Sequence, residues 1–293
     1  MEQARLDWGA ILALAPVTLV LGLLFCGALG LAIGQSLGFA PWYGINTFPD
    51  FSHFARLWSA PAFWAGLGLT LYYGVVSTLM ALVLGVGLAL ALRKSFAGRR
   101  LFDHVYKLPL MIPYGVAIAL AVLLLGNGGI ASRLLAWVGV ISDPAQFPRL
   151  INTHAGWGIM AVYVWKQTPF ITLAVAAVLA GMGRQTQEAA AVLGAGRVRI
   201  FWEITLPQIL PGLVSAALIC LAFNLGAFEA PFILGGGYPD TLPVMAWRAF
   251  NDADYGRQLE GTAIALSIAL VAGALLLLSL MAYRALERRH GRV

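Results

Sequence analysis

Charged residues are scarce in this sequence. Only 11% of its 293 residues are charged, whereas 60% are hydrophobic, and the mean hydropathy is +0.82. An ordinary soluble domain has about 25% charged residues. The composition therefore excludes an ordinary soluble domain and predicts a protein that lies in a bilayer.

Residues that commonly serve catalysis or metal binding are few or scattered. The two cysteines, Cys26 and Cys220, lie in apolar runs, which favours inert small side chains over a disulfide or a metal pair. The sequence contains no Gly-x-x-x-x-Gly-Lys-Ser/Thr and no His-Glu-x-x-His motif. We therefore expect no catalytic residue, no metal site, no cofactor and no ATP-binding site on this chain. The histidines are dispersed at span ends or in loops: His53, His104, His154 and His290.

The net charge of +6 is by itself compatible with nucleic-acid binding. The basic residues do not form one stripe, however, but cluster in short segments between apolar runs. Such clustering is typical of membrane topology rather than of a nucleic-acid interface. We therefore expect no nucleic-acid partner.

Six apolar runs are long enough to cross a bilayer, which takes about 20 residues per helix. The first, about residues 8–34, exceeds the apolar region of a signal peptide, which is about 7 to 15 residues, so we expect it to be retained. The pattern predicts an all-α polytopic membrane protein that forms one domain over residues 1–293, with its core in 63–283. The other five runs are residues 63–92, 108–125, 155–179, 203–234 and 261–283.

Lys and Arg are distributed unequally between the two sides of the predicted spans. Thirteen share a side with the N-terminus and five lie on the opposite side, while Lys166 lies within a span. Because the cytoplasmic side carries the excess of Lys and Arg, we expect both termini and the loop between the fourth and fifth spans to be cytoplasmic. The five are Arg56, Arg133, Arg149, Arg248 and Arg257.

That loop contains the unusual stretch EAAAVLGAGRVRIFWEITLP, residues 188–207. Thr186 can cap a short helix with Glu188 in its first turn, and Gly194 with Gly196 can end that helix. A second amphipathic piece, Arg197 to Leu206, is expected to follow before Pro207 and Pro211 break the chain and start the fifth span. The spacing is compatible with a helix that docks in a groove on another protein, and equally with a simple connector.

The stretch resembles the signature loop in the permease subunits of binding-protein-dependent type I ABC importers. That loop reads Glu-Ala-Ala, three residues, Gly, nine residues, Ile, one residue, Leu-Pro. The resemblance extends from about Phe63 to Tyr283, with one departure at Leu193, where the family often has an acidic residue. It implies the type I importer permease fold, with a coupling helix in the loop at about residues 185–196. The matching positions are Glu188, Ala189, Ala190, Gly194, Ile204, Leu206 and Pro207.

The resemblance also implies partners and a location. The partners are an ABC ATPase dimer, a second permease that we expect to be a related but different chain, a periplasmic or extracellular solute-binding protein, and membrane lipid. ATP hydrolysis on the ATPases would move the coupling helix, so this chain is not expected to be an enzyme. The expected location is the bacterial cytoplasmic (inner) membrane.

Two charged residues, Lys166 and Glu229, lie in or near the apolar spans, where an unpaired ion is costly. One or both line the substrate pathway, or else they pair with each other or extend to the membrane interface in a structural role. The segment after Glu229, APFILGGGYPDTLPVMAW, resembles the same region of polyamine, ferric-iron, thiamine and aminophosphonate importers. If Glu229 faces the pathway, a polyamine or a similar small charged solute is favoured, with iron and organic phosphonates as alternatives.

A stand-alone secondary transporter or channel is the competing hypothesis. In such a protein Lys166 and Glu229 would carry a coupling ion or a proton. These folds often have inverted repeats and broken helices in matching halves. The sequence shows neither feature, which favours the importer subunit.

Overall fold

The computed structural model describes residues 8–182 and 185–290, and these residues are mostly helical. Within them, six helical segments are long and apolar enough to cross a membrane, which confirms the predicted all-α polytopic fold class. These segments are Leu12–Ser36, Pro61–Ala91, Tyr114–Trp137, Trp157–Gly181, Arg197–Gly226 and Tyr255–Arg284.

The helices divide the described residues as follows, in chain order. The first seven are α1 (Trp8–Ser36), α2 (Ser52–Ser59), α3 (Pro61–Ala91), α4 (Arg99–Val105), α5 (Leu108–Met111), α6 (Tyr114–Leu125) and α7 (Ile130–Trp137). The others are α8 (Trp157–Gly181), α9 (Gln185–Val192), α10 (Arg197–Ile200), α11 (Leu206–Gly226), α12 (Glu229–Leu234), α13 (Leu242–Phe250) and α14 (Tyr255–His290). Two short antiparallel strands, β1 (Phe39–Ala40) and β2 (Ile45–Asn46), pair after α1.

Backbone contacts divide the chain into two compact units. One comprises Met1–Pro61 and Met245–Ser267, and the other comprises Ala62–Val244 and Ile268–Val293. That the whole chain acts as one domain therefore stays a prediction. In the smaller unit, Asp50 accepts hydrogen bonds from the backbone and hydroxyl of Ser52, and these bonds hold the pKa of Asp50 below its usual range.

The larger unit has one core cluster where α3, α6, α8 and α12 pack together and another where α3, α8 and α11 pack together. A β-carbon on Gly85 of α3 would lie 2.6 Å from Cγ2 of Ile171 on α8, so only glycine permits this close approach. A β-carbon on Gly74 would lie 3.5 Å from Cβ of Asn224 on α11. Gly85 thus lets α8 approach α3 closely, as small residues do in other membrane bundles, whereas a β-carbon at position 74 would lie at ordinary contact distance from α11.

The third predicted span, residues 108–125, is broken near its start. Because proline disfavours helical backbone in the preceding residue, Ile112 adopts ψ 127° before Pro113, and α5 ends at Met111. The helix resumes as α6 at Tyr114. The third span therefore starts at Tyr114 and not at Leu108, and the break leaves backbone carbonyls of α5 without helical partners.

The fifth predicted span differs in the opposite way, because its prolines do not break the chain. Helical structure runs from α10 through a π-helical turn, Phe201–Thr205, into α11. Pro207 lies in the first turn of α11, where a missing N–H costs least, and Pro211 lies inside the helix. The prediction that these two prolines separate a surface helix from the span was wrong.

Candidate functional site

The loop helix α9 starts slightly earlier than the sequence predicted. It spans Gln185–Val192 with Glu188 in its first turn, as expected. Thr186 lies inside the helix, so it is not the N-cap residue. The residue that precedes Gln185 lies outside the described residues.

Gly194 ends α9 with a left-handed backbone, at φ +86°. The Gly194 N–H donates to the Ala191 carbonyl at 3.0 Å, and the Ala195 N–H donates to the Ala190 carbonyl at 3.0 Å. These two bonds form the Schellman C-cap, which favours glycine at the left-handed position. A β-carbon at position 194 would meet no atom of this chain within 4 Å. Gly194 is therefore required for its backbone conformation and not for packing within this chain.

Gly196 has no such requirement. Its backbone has φ −69° and ψ 159°, which any residue adopts, and a β-carbon would again meet no atom within 4 Å. The prediction that Gly196 helps to end α9 is not supported, since it lies after the cap. Gly196 is a matched control for Gly194.

The other residues of the motif lie either on α9 or at the start of the fifth span. Glu188 and Ala189 on α9 are exposed, whereas Ala190 and Ile204 line a cavity of about 260 Å³ with Gly194. Leu206 packs against the core formed by α3, α8 and α11, and Pro207 lies exposed in the first turn of α11. The tip of the loop presents two apolar side chains to the outside, Val192 at 88% and Leu193 at 87% exposed.

One side chain that the sequence did not single out, Gln187, connects α9 to two spans. Its Oε1 accepts a hydrogen bond from the Arg93 guanidinium at 3.1 Å, just beyond the end of α3. Its Nε2 donates to the Thr205 hydroxyl at 3.1 Å, one residue before α11. We refer to Arg93, Gln187 and Thr205 as the Gln187 bridge.

Arg93 also lines a separate cavity of about 460 Å³ beside α4, which contains Arg99, Asp103 and Tyr106. Burial raises the pKa of the Tyr106 hydroxyl. Arg99 and Asp103 form an ion pair at 3.7 Å, one helical turn apart. The guanidinium of Arg93 therefore lies among polar groups at the end of α3.

Lys166 does not pair with Glu229. The residue is 8% exposed, and its ammonium donates hydrogen bonds to the backbone carbonyls of Pro109 at 2.6 Å and Ile112 at 2.5 Å. The same nitrogen lies 4.9 Å from the centre of the Tyr114 ring. The alternative in which Lys166 pairs with Glu229 is therefore wrong. Lys166 instead donates hydrogen bonds to the carbonyls that the break between α5 and α6 leaves without helical partners. The proline pair in LPLMIP was the only sequence signal for this arrangement.

Glu229 lies at the start of α12 and lines a cavity of about 310 Å³. Aromatic side chains of Tyr114, Tyr163 and Phe223 form much of the wall. The Tyr163 side chain is 1% exposed, and its hydroxyl has no hydrogen-bond partner among the described residues. Glu229 is exposed and therefore contributes a carboxyl group to the edge of a largely aromatic cavity that also contains the unpaired Tyr163 hydroxyl.

A buried polar cluster that the sequence did not indicate lies beside this cavity. The Gln167 amide donates to the Asn224 Oδ1 at 2.5 Å, and the Asn224 Nδ2 donates to the Thr78 hydroxyl at 3.1 Å. These residues come from α8, α11 and α3. Because they bond mainly to one another, the cluster fixes how the three helices pack.

These spans, together with a capped surface helix between the fourth and fifth, define the membrane subunit of a transport complex. Residues 81–292 match the family described as "Binding-protein-dependent transport system inner membrane component", and the chain belongs to that family. It is therefore a permease of the ABC importer type, as the loop motif indicated.

Curated relatives agree with this family. The chain is 34% identical to the probable ABC transporter permease y4oQ of Sinorhizobium fredii over 201 residues, which are 67% of this chain and 64%, less than two thirds, of that relative. It is 28% identical over 263 residues to the trehalose/maltose permease MalF of Thermococcus litoralis, covering 87% of this chain and 86% of MalF. It is 32% identical over 228 residues to the sulfate permease CysW of Synechococcus elongatus, covering 76% of this chain and 74% of CysW.

The fold is also that of a solved importer. A chain of a bacterial ABC transporter that imports the acidic polysaccharide alginate superposes with a TM-score of 0.76 at 23% identity. The superposition covers 95% of this chain and 96% of the other. At this identity the likeness supports the type I importer permease fold alone.

Proposed function

We propose that this chain forms half of a substrate pathway and couples it to ATP hydrolysis on partner subunits. The observation that carries the proposal is α9, a short helix that is fixed by the Gly194 cap and presents Val192 and Leu193 outside the spans. Contiguous exposed apolar side chains are typical of a protein contact. In this proposal α9 is the coupling helix and occupies a groove on an ABC ATPase.

The proposed complex contains an ATPase dimer, this chain, a second and different permease, and an extracytoplasmic solute-binding protein. The chain lies in the cytoplasmic membrane with both termini in the cytoplasm, which is the orientation that the distribution of Lys and Arg favours. ATPase closure would move α9, and the spans would then switch between inward-open and outward-open states.

A photocrosslinking amino acid in place of Leu193 tests the proposed contact. We expect an adduct with an ABC ATPase, identified by mass spectrometry after purification through a tag on this chain. Val83 on α3, which is 73% exposed, is the matched control and should give no ATPase adduct. Equal ATPase labelling from both positions, or none from Leu193, contradicts the assignment of α9.

We further propose that the solute passes Glu229 and has no net negative charge. A carboxylate in an aromatic cavity accepts hydrogen bonds from hydroxyl or ammonium groups, whereas it repels an oxyanion. The names of the relatives specify trehalose and maltose or sulfate, and none of them specifies the polyamine that the sequence suggested. A solute with hydroxyl groups agrees with both the cavity and the sugar permease, and sulfate does not agree with the carboxylate.

Replacing Glu229 with glutamine should lower uptake about tenfold, because the neutral amide keeps the shape but loses the charged acceptor. The solute is first identified by calorimetry on the binding protein, and its uptake is then measured in proteoliposomes. Thermal stability of the complex should be unchanged. Glu260→Gln, which removes an exposed partner of Arg56, is the control and should transport normally. Wild-type uptake by Glu229→Gln would remove Glu229 from the pathway.

A further inference from the structure

We infer that Gln187 is the positioning residue that makes the coupling helix move together with α3 and α11. This inference rests on the proposed role of α9 in coupling. It concerns how motion at α9 reaches the spans, and it assigns Gln187 no contact with ATP, solute or the ATPase. The Gln187 bridge is the structural basis, because one side chain on α9 bonds to groups at the ends of two spans.

In the bridge, the Gln187 side chain accepts one hydrogen bond and donates another. A guanidinium has only donors, so the Arg93 group must meet an acceptor, which the Gln187 Oε1 supplies. The Thr205 hydroxyl accepts from the Gln187 Nε2 on the other side. A glutamine amide provides both functions at once without adding a charge.

The two ends of the bridge are set firmly in the spans. Thr205 is 4% exposed and ends the π-helical turn that leads directly into α11. Arg93 is half-buried and follows α3 by two residues, where its backbone N–H still bonds to the Leu90 carbonyl at 3.3 Å. By contrast, α9 itself is largely exposed. A short exposed helix therefore has a specific link to each of two buried helices.

This link determines what a displacement of α9 does. Without it, a displacement of α9 can be absorbed by the loop residues 193–196, which connect α9 to α10. With it, the ends of α3 and α11 follow α9. Both spans contribute to the core with α8, so they transmit the motion as packed helices and not as separate segments.

Distances between spin labels test this inference without knowledge of the solute. Both cysteines are first removed as Cys26→Ala and Cys220→Ala, and labels are then placed on exposed residues in two pairs. One pair joins Thr186, which is exposed on α9, to Leu84 on α3, and the other joins Thr186 to Ile219 on α11. The whole importer complex, purified through a tag on this chain, is measured before and after trapping with ATP and vanadate.

In the wild-type bridge, we expect both distances to stay the same on trapping, because α9, α3 and α11 move as one body. In Gln187→Leu, which has a similar volume and no hydrogen bonds, both distances should change by about 2 Å or more, and their distributions should broaden. The ATPase should still co-purify. Transport per ATP hydrolysed should fall about fivefold or more, which corresponds to the loss of at least one hydrogen bond.

Four further variants separate the loss of each hydrogen bond of the bridge from a general loss of structure. Arg93→Met should affect only the pair to α3, and Thr205→Val only the pair to α11. Gln187→Glu should restore both distances, since a carboxylate accepts from Arg93 and also from the Thr205 hydroxyl. Gln208→Leu makes the same substitution at an exposed glutamine of α11 and should change neither distance.

The outcomes distinguish this inference from the proposed function. Unchanged distances in trapped Gln187→Leu overturn the inference, and so do distances that change in the wild-type bridge. If the Gln187→Leu complex does not assemble, Arg93→Met and Thr205→Val provide the test. The inference is overturned if both of these variants show the same distances on trapping as the wild type. Absence of an ATPase adduct at Leu193 instead overturns the coupling role of α9 itself.

Discussion

Replacing Lys166 with methionine should destabilise the purified protein by about 2 kcal/mol and abolish transport. The substitution leaves the carbonyls of Pro109 and Ile112 without their donor at a helix break within the spans. Each unsatisfied buried group costs about 1–3 kcal/mol, and relief of the ammonium's own desolvation offsets part of that sum. The measurement is the free energy of unfolding in detergent together with the yield of assembled complex.

The matched control is Lys107→Met, which removes a lysine that lies outside the spans beside Tyr106. It should change stability by less than about 0.5 kcal/mol.

A double variant, Lys166→Met with Glu229→Gln, tests whether Lys166 bonds to the Pro109 and Ile112 carbonyls or pairs with Glu229. Because the structure has no contact between the two groups, their effects should add. If Glu229→Gln rescues Lys166→Met, the two residues form a pair and the carbonyl arrangement is wrong.

Replacing Gly194 with alanine should lower the amount of solute transported per ATP hydrolysed about tenfold, although the ATPase remains bound. The left-handed conformation costs a residue with a β-carbon about 1–2 kcal/mol, so the cap opens and α9 loses its fixed end. Asparagine tolerates this conformation better than alanine. Gly194→Asn should therefore retain more coupling than Gly194→Ala, although its side chain is larger.

Gly196→Ala is the control for Gly194→Ala, since it makes the same change two residues away at an ordinary backbone conformation. It should couple normally. The measurement for each variant is solute transported per ATP hydrolysed in proteoliposomes. If Gly194→Asn transports less solute per ATP than Gly194→Ala, the size of the side chain next to the ATPase matters and the backbone conformation does not. Equal defects in Gly194→Ala and Gly196→Ala would contradict the role of the cap.

The spans and the loop were predictable because their signals are local. An apolar run of sufficient length identifies a span by itself, and a helix followed by glycine identifies the end of α9. Glu188 and Gly194 therefore lie where the sequence placed them. The breaks were less predictable, because a proline gives the same sequence signal whether it interrupts a helix, as Pro113 does, or lies in its first turn, as Pro207 does.

The partners of polar side chains could not be predicted, because they come from distant parts of the chain. Lys166 bonds to carbonyls more than 50 residues away, at Pro109 and Ile112, and a carbonyl has no identity in the sequence. Gln187 could not be identified from the sequence, because an isolated glutamine in a loop has many possible roles. Only the fold brings Arg93 and Thr205 to its two ends.

Solute uptake by proteoliposomes tests the central claim most directly. The complex is purified through a tag on this chain and reconstituted, and the identified solute is supplied with its binding protein. We expect uptake that requires ATP, the ATPase and the binding protein, and that an ion or proton gradient alone does not drive. Uptake driven by such a gradient in the absence of the ATPase would contradict the account and support a stand-alone transporter.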